Sequence, residues 1–265
     1  MCLLIHGLNF KPARMMAIAE LLGSNGVESL IVSLRGHGDN FEPATGAESI
    51  EQLRLEALKS TSRSTWLQEA HEAYTVAREF AAENGVPLLL VGFSLGALIG
   101  TDMLQDTARN VSFDGMILFA PALRVHWYTH LLRLLAPFPR LVLPSRSPRD
   151  YAANPGTPIA AYNALFESLA AVRARGDSKL GIRTLAFIDP RDELVSYRGL
   201  QGLGETVAGE QWSLVALKKT LRHDDRDFHH LIIDSRSLGE AIWRDVSRRV
   251  RVFLSEVVAK GGRQS

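Results

Sequence analysis

Leu88-Leu89-Leu90-Val91-Gly92-Phe93-Ser94-Leu95-Gly96-Ala97 runs from an unbroken apolar stretch into a G-x-S-x-G turn, and then into a small-residue pattern that reaches Gln105. A short apolar run bounded by glycine reads as a strand buried on both faces. The turn must redirect the chain sharply into a helix, which strains the backbone of Ser94 and excludes bulky neighbours, hence Gly92 and Gly96. From Leu95 the pattern predicts a helix whose free N–H groups and positive dipole end face any negative charge developing beside Ser94. As bare letters G-x-S-x-G is common. The strand before it and the helix after it make Ser94 a candidate nucleophile held out at the top of a sheet.

Working outward, further strands are expected at Leu3–Ile5, Ser29–Leu34, Gly115–Phe119, Thr184–Ile188 and Trp212–Leu217. Helical patterns lie between or after them at Ala13–Leu22, Thr65–Glu83, Ile159–Arg175 and Leu238–Val258, with Gly26, Gly85 and Gly181 at the joins. This alternation predicts an α/β fold, a mostly parallel sheet with helices on both faces. In such sheets ligands gather beyond the C-terminal strand ends. The chain opens with Met1-Cys2-Leu3-Leu4-Ile5 already inside a strand pattern, so the fold either begins at its first parallel strand or lacks strands that lie upstream.

Composition narrows the classes. Thirty basic and 29 acidic residues nearly cancel across 265 residues, which leaves no charge excess to suggest nucleic acid as a partner. Cys2 is the one cysteine, so no intrachain disulfide or thiolate zinc site forms, in keeping with a reducing, cytoplasmic location. Apolar runs are broken well before the roughly 20 residues of a membrane span, and no secretion signal is evident. Gly202-x-Gly204 follows no strong strand and lacks a third spaced glycine. It is no dinucleotide fingerprint, no phosphate-cradling loop is present, and no cofactor is expected.

A serine nucleophile needs a base, an orienting acid and an anion site. The turn Asp189-Pro190-Arg191-Asp192-Glu193-Leu194-Val195 offers two aspartates, and the loop before Leu231 offers the neighbours His229 and His230, with His223 upstream. Asp189 precedes proline, where a carboxylate commonly starts a turn by bonding local backbone. Only one of two adjacent histidines can point into a pocket. His223-Asp224-Asp225-Arg226-Asp227 also has metal-binding residue types, but its spacing matches no closed zinc pattern and Arg226 repels a cation, so no metal is expected. In Arg35-Gly36-His37-Gly38-Asp39 the glycines favour loop shaping by His37 and Asp39 over a catalytic pair.

Several of these segments together resemble the α/β-hydrolases, especially the carboxylesterase and monoacylglycerol-lipase-like branch. His6-Gly7-Leu8 is similar to that family's oxyanion turn, Leu34-Arg35-Gly36-His37-Gly38-Asp39 to the loop after its next strand, and Asp192-x-x-Val195 to its acid turn. His229, with Asp234 five residues on, resembles the carboxylesterase histidine segment. The resemblance implies Ser94 as nucleophile, His229 as base and Asp192 as acid. His230 would then be a wall or helix-entry residue, and the backbone N–H groups of Leu8 and Leu95 would hold the oxyanion. The implied activity is hydrolysis of small to medium uncharged acyl esters. Thioester, lactone or C–C hydrolysis, or a catalytically inert binding protein, would use the same framework.

Between Pro121 and about Leu180 the alternation breaks into an apolar, aromatic and proline-rich stretch, Trp127 to Pro144. The resemblance implies a cap inserted here, over residues 122–180, with 1–121 and 181–265 forming the core. Such a cap would wall an acyl pocket, and the same stretch is a candidate for peripheral membrane contact, although its prolines spoil a long amphipathic helix.

Overall fold

A computed structural model of the chain describes residues 1–42, 49–176, 180–207, 211–219 and 228–261. Six strands, β1 (Cys2–Ile5), β2 (Ser29–Val32), β3 (Leu89–Phe93), β4 (Gly115–Phe119), β7 (Thr184–Ile188) and β8 (Trp212–Ala216), form one sheet. Its order is β2-β1-β3-β4-β7-β8, and every pairing in it is parallel. Two short strands, β5 (Val142–Pro144) and β6 (Gly156–Pro158), pair separately as an antiparallel hairpin.

Because side chains alternate along a strand, each central strand feeds two cores. Leu3, Ile5, Leu90, Met116, Leu118, Ala186 and Ile188 fill one. Helices α2 (Ile50–Lys59), α3 (Arg63–Glu83), α4 (Leu95–Gln105), α5 (Ile159–Arg175) and α6 (Tyr197–Thr206) cover that face. Leu4, Leu89, Val91, Phe93, Ile117, Phe119 and Phe187 fill the other, beneath α1 (Met16–Gly23), α7 (Ser235–Leu238) and α8 (Glu240–Gly261). The expected parallel sheet with helices on both faces is the fold observed.

Differences from the expected elements have local causes. Helix α2 was not anticipated because its apolar pattern is faint, but Ser49 and Gln52 form a capping box: Ser49 Oγ accepts the Gln52 N–H and the Gln52 carbonyl accepts the Ser49 N–H. Helix α6 contains Gly199, Gly202 and Gly204, poor helix formers that packing overrides. The helix expected over Leu238–Val258 is observed as α8, which starts two residues later because Gly239, with φ 84°, ends a separate short helix, α7, at Leu238.

The interval expected as an inserted cap divides in two. Its later part, α5, lies in the main core against α4, with Ala161, Leu165, Leu169 and Val172 buried. The earlier part carries a 3-10 helix, Trp127–Leu135, none of whose residues is buried, followed by the β5–β6 hairpin.

Helix α4 is buried along its whole length. A Cβ placed on Gly96 would lie 1.9 Å from the Ile5 carbonyl oxygen, and one on Gly92 would lie 2.5 Å from the Ala97 backbone. Gly96→Ala is therefore expected to cost at least about 3 kcal/mol, the upper end for overpacking. Gly23→Ala, at an α1 position with nothing within 4 Å, should change stability by less than about 1 kcal/mol. Urea denaturation midpoints at fixed pH separate the two.

Candidate active site

Ser94 joins β3 to α4 with φ 52° and ψ −111°, a strained backbone for a residue other than glycine. The bend is held from outside: Ser94 N–H donates to the Phe119 carbonyl at 2.9 Å, and the Ser94 carbonyl accepts from Ala122 N–H at 3.2 Å. Its side chain is thereby fixed beyond the C-terminal ends of β3 and β4.

After β7 the chain turns at Asp189–Val195. Asp192 Oδ1 accepts the N–H groups of Leu194 and Val195 at 2.7 and 2.8 Å, so this oxygen shapes its own turn. Asp192 Oδ2 lies 2.8 Å from Nδ1 of His230, whose Nε2 lies 2.7 Å from Ser94 Oγ. With Nδ1–H donating to a carboxylate, Nε2 is the bare nitrogen and accepts the serine hydroxyl proton. All three side chains are buried. A hydroxyl in contact with an imidazole that is itself oriented by a carboxylate can attack a carbonyl and pass its proton to the ring.

His229, the histidine expected as base, does not meet Ser94. His229 Nδ1 lies 3.1 Å from Asp189 Oδ2, and His230 meets Ser94 instead. The spacing to Asp234 misled because that carboxylate has other work: it caps α7 through Ser237 N–H and accepts the Tyr151 hydroxyl. It thus marks a helix start, not a distance to the base. Asp189 is a saturated hub, accepting from Arg191 N–H and guanidinium, Lys219 N–H and His229. Burial alone would raise its pKa, but these donors outweigh burial and hold the carboxyl below its usual value. His223 and the rest of 220–227 lie outside the described residues. Among the described residues no group of three or more His, Cys, Asp or Glu is arranged to hold a metal ion.

The turn after β1 comes close to the serine. A Cβ on Gly7 would lie 2.8 Å from the Phe93 ring and 3.4 Å from Ser94 Cβ. Among the described residues, no hydrogen bond engages the N–H of Leu8 or of Leu95. Two buried imidazoles build this turn. His6 Nε2 accepts the Leu34 N–H while Nδ1 donates to the Gly7 carbonyl. His37 Nε2 accepts the Asn9 N–H while Nδ1 donates to the Leu34 and Arg35 carbonyls. Each ring bridges a donor and an acceptor, which only the neutral form can do. Burial lowers the pKa of His6 to about 4, and burial together with the neighbouring His6 lowers that of His37 well below normal. His37 is thus a loop-shaping residue.

The stretch between β4 and α5 is anchored to both turns. Val125 bridges Val195, His126 N–H donates to the Leu194 carbonyl, and Ser196 N–H donates to the Arg124 carbonyl. At the other side, Asn9 and Asn154 exchange buried bonds: Asn9 Nδ2 donates to the Asn154 carbonyl, and Asn154 N–H donates to Asn9 Oδ1.

Two residues that hold the site escaped the sequence reading. Glu193 and Lys219 bond the backbone of the histidine turn. Lys219 follows Lys218 at a strand end, where a lysine pair reads as solvated, and it carries no local signal of its burial.

A family model described as "Serine aminopeptidase, S33" matches residues 1–188. No curated protein matches the chain. Similar solved structures include one described under "LipS and LipT, two metagenome-derived lipolytic enzymes", at 18% identity and TM-score 0.71, covering 96% of this chain and 93% of the other. A soluble variant of monoglyceride lipase from Saccharomyces cerevisiae is 16% identical with TM-score 0.73, covering 97% and 86%. Paleococcus ferrophilus monoacylglycerol lipase is 19% identical with TM-score 0.65, covering 95% and 94%. At such identities these likenesses show a common α/β-hydrolase fold.

The neutral histidines impose an acid limit. Unfolded, His6 titrates near 6.5, and folded it titrates near 4, so between these values the unfolded chain binds the extra proton. Stability is full above 6.5 and is lost as pH falls toward 4. His6 alone should cost about 1.3 kcal/mol between pH 7 and 5.5, with His37 adding in the same direction. Urea unfolding at the two pH values measures the slope, which should flatten in His6→Asn.

Proposed function

Because the chain belongs to the serine aminopeptidase S33 family, we propose that it is a serine hydrolase that cleaves carboxylic esters of small to medium acyl chains through Ser94, His230 and Asp192. The observation that carries this reading is the 2.7 Å contact between Ser94 Oγ and His230 Nε2, backed by Asp192 at 2.8 Å. Ser94 Oγ attacks the acyl carbonyl as His230 takes its proton, and Asp192 stabilises the imidazolium. The tetrahedral oxyanion sits on the N–H groups of Leu8 and Leu95, with the N-terminus of α4 adding its dipole. His230 then protonates the leaving alcohol, and water, deprotonated by the same ring, releases the acid from Ser94.

Two features support an uncharged acyl substrate over a peptide with a free amino terminus. Among the described residues, the carboxylates around His230, namely Asp189, Asp192 and Glu193, already hold backbone N–H groups and imidazoles and so are engaged before any substrate ammonium arrives. The stretch between β4 and α5, which we assign as the cap, also presents exposed apolar side chains: Trp127 at 76%, Leu134 at 75% and Phe138 at 62%. Such a band suits entry of an acyl chain from an oil–water surface. Among the described residues no helix is long and apolar enough to cross a membrane, so the contact proposed is peripheral.

A fluorophosphonate should label wild-type protein and leave Ser94→Ala unlabelled. His230→Ala and Asp192→Asn should each lower kcat on p-nitrophenyl butyrate by at least about a thousandfold, and His229→Ala by less than about tenfold. A butyryl thioester and an aminoacyl p-nitroanilide complete the panel, and preference for the anilide would replace the esterase reading with a peptidase one. Separately, a Trp127→Ser, Phe138→Ser double variant should lose turnover of emulsified ester while keeping its rate on dissolved p-nitrophenyl butyrate. Equal loss on both would exclude the surface role.

A further inference from the structure

The two histidines are the central residues of a tight turn. Phe228-His229-His230-Leu231 is closed by a 3.2 Å bond from Leu231 N–H to the Phe228 carbonyl. Opposite charges grip its backbone from two sides. Glu193 Oε1 accepts the His229 N–H at 2.9 Å, and Oε2 accepts the His230 N–H at 3.0 Å. The carbonyls at the two ends of the turn, Phe228 and Leu231, accept from Lys219 Nζ at 2.8 and 2.5 Å.

Lys219, three residues beyond the end of β8, is only 3% exposed. Burying an ammonium costs several kcal/mol unless bonds and opposite charges compensate. Its main chain is tied into the same cluster: Lys219 N–H donates to Asp189 Oδ2, the oxygen that also meets His229 Nδ1, and the Lys219 carbonyl accepts from Arg191. Neither Lys219 nor Glu193 contacts Ser94 among the hydrogen bonds described. Both act on the four residues that carry the imidazoles. Neighbouring side chains leave a tight turn in different directions, so a modest rotation of this turn would withdraw His230 and bring the wrong ring toward the serine.

Resting on the triad reading above, we propose that Lys219 and Glu193 are positioning residues, an opposed-charge clamp that holds the turn so that His230, and not His229, is presented to Ser94. Charge-assisted bonds to two carbonyls and two N–H groups leave the turn little rotational freedom. The ammonium interacts with the carboxylates of Asp189, Asp192 and Glu193 from the turn after β7 and of Asp234 from the start of α7, and it meets the clamped turn through the Phe228 and Leu231 carbonyls. Burial lowers the lysine pKa to about 8 even though those four carboxylates oppose the shift. The clamp therefore weakens as pH rises past that value.

The test is steady-state turnover of p-nitrophenyl butyrate between pH 6 and 10, with thermal melts, for wild type, Lys219→Met, Glu193→Gln and Lys219→Arg. Lys219→Met and Glu193→Gln should lower kcat roughly 10- to 100-fold, as expected for a slightly misplaced base, with KM within about threefold. Lys219→Arg, which keeps charge and donors, should recover most of the loss. Wild-type kcat should decline above about pH 8, and in Lys219→Arg that decline should vanish because arginine does not titrate there. A folded Lys219→Met with kcat within twofold of wild type overturns the clamp, as does an alkaline decline that persists unchanged in Lys219→Arg. If the substituted proteins do not fold, the wild-type profile decides: a flat kcat to pH 10 overturns the proposal and a decline near pH 8 supports it. Wild-type protein inert toward every ester and toward the fluorophosphonate would instead remove the hydrolytic reading on which the clamp rests.

Discussion

Helix α4 seats against the ends of β1 and β3 only because Gly92 and Gly96 carry no side chains; one methyl group on Gly96 would overlap the Ile5 carbonyl. That closeness forces the reversal of direction at Ser94 and accounts for its positive φ. It also sets the turn after β1 beside the serine, since Gly96 of α4 lies against the Ile5 and His6 carbonyls. Strain at one residue is tolerable when a fully buried helix and a parallel sheet over-determine it. The proposed nucleophile and the proposed oxyanion donors are therefore two consequences of a single packing contact.

Around that contact the molecule uses two kinds of polar support. Beside the turn after β1, support is neutral: His6, His37, Asn9 and Asn154 bridge backbone donors and acceptors without carrying charge. Beneath the histidine turn it is ionic, with Asp189, Glu193, Arg191 and Lys219 in one cluster. The contrast suits the role proposed for each. A site awaiting a developing oxyanion gains from fixed dipoles near it and no competing charge. A base that must become an imidazolium gains from carboxylates close by.

The tandem histidines show how finely such support discriminates. His229 and His230 are chemically identical and adjacent, and each pairs with an aspartate of the same turn. Only the backbone orientation of Phe228–Leu231 separates a ring that reaches Ser94 from one that braces Asp189. That orientation is imposed by residues distant in sequence, 193 and 219, acting on N–H and carbonyl groups that every residue type carries. No identity within the turn itself encodes it.

Much of the architecture was legible from the chain alone. Apolar runs and helical periodicity located all six sheet strands and the helices α1, α3, α4, α5 and α8, because burial on both faces of a parallel sheet leaves a strong one-dimensional pattern. The G-x-S-x-G letters carried Ser94 to its bend because the steric demand is local. What was not legible depended on contacts between distant segments: α6, whose glycines are tolerated through packing, the membership of α5 in the core, and the buried Lys219. The choice of His230 over His229 belongs to the same class. The sequence by itself determined the order of layers and the sharp turn at Ser94, since those follow from hydrophobic period and backbone sterics. Only the tertiary structure decided which imidazole meets the serine, because a one-residue change in a turn reverses a side chain's direction and is settled by charges brought in from elsewhere in the fold.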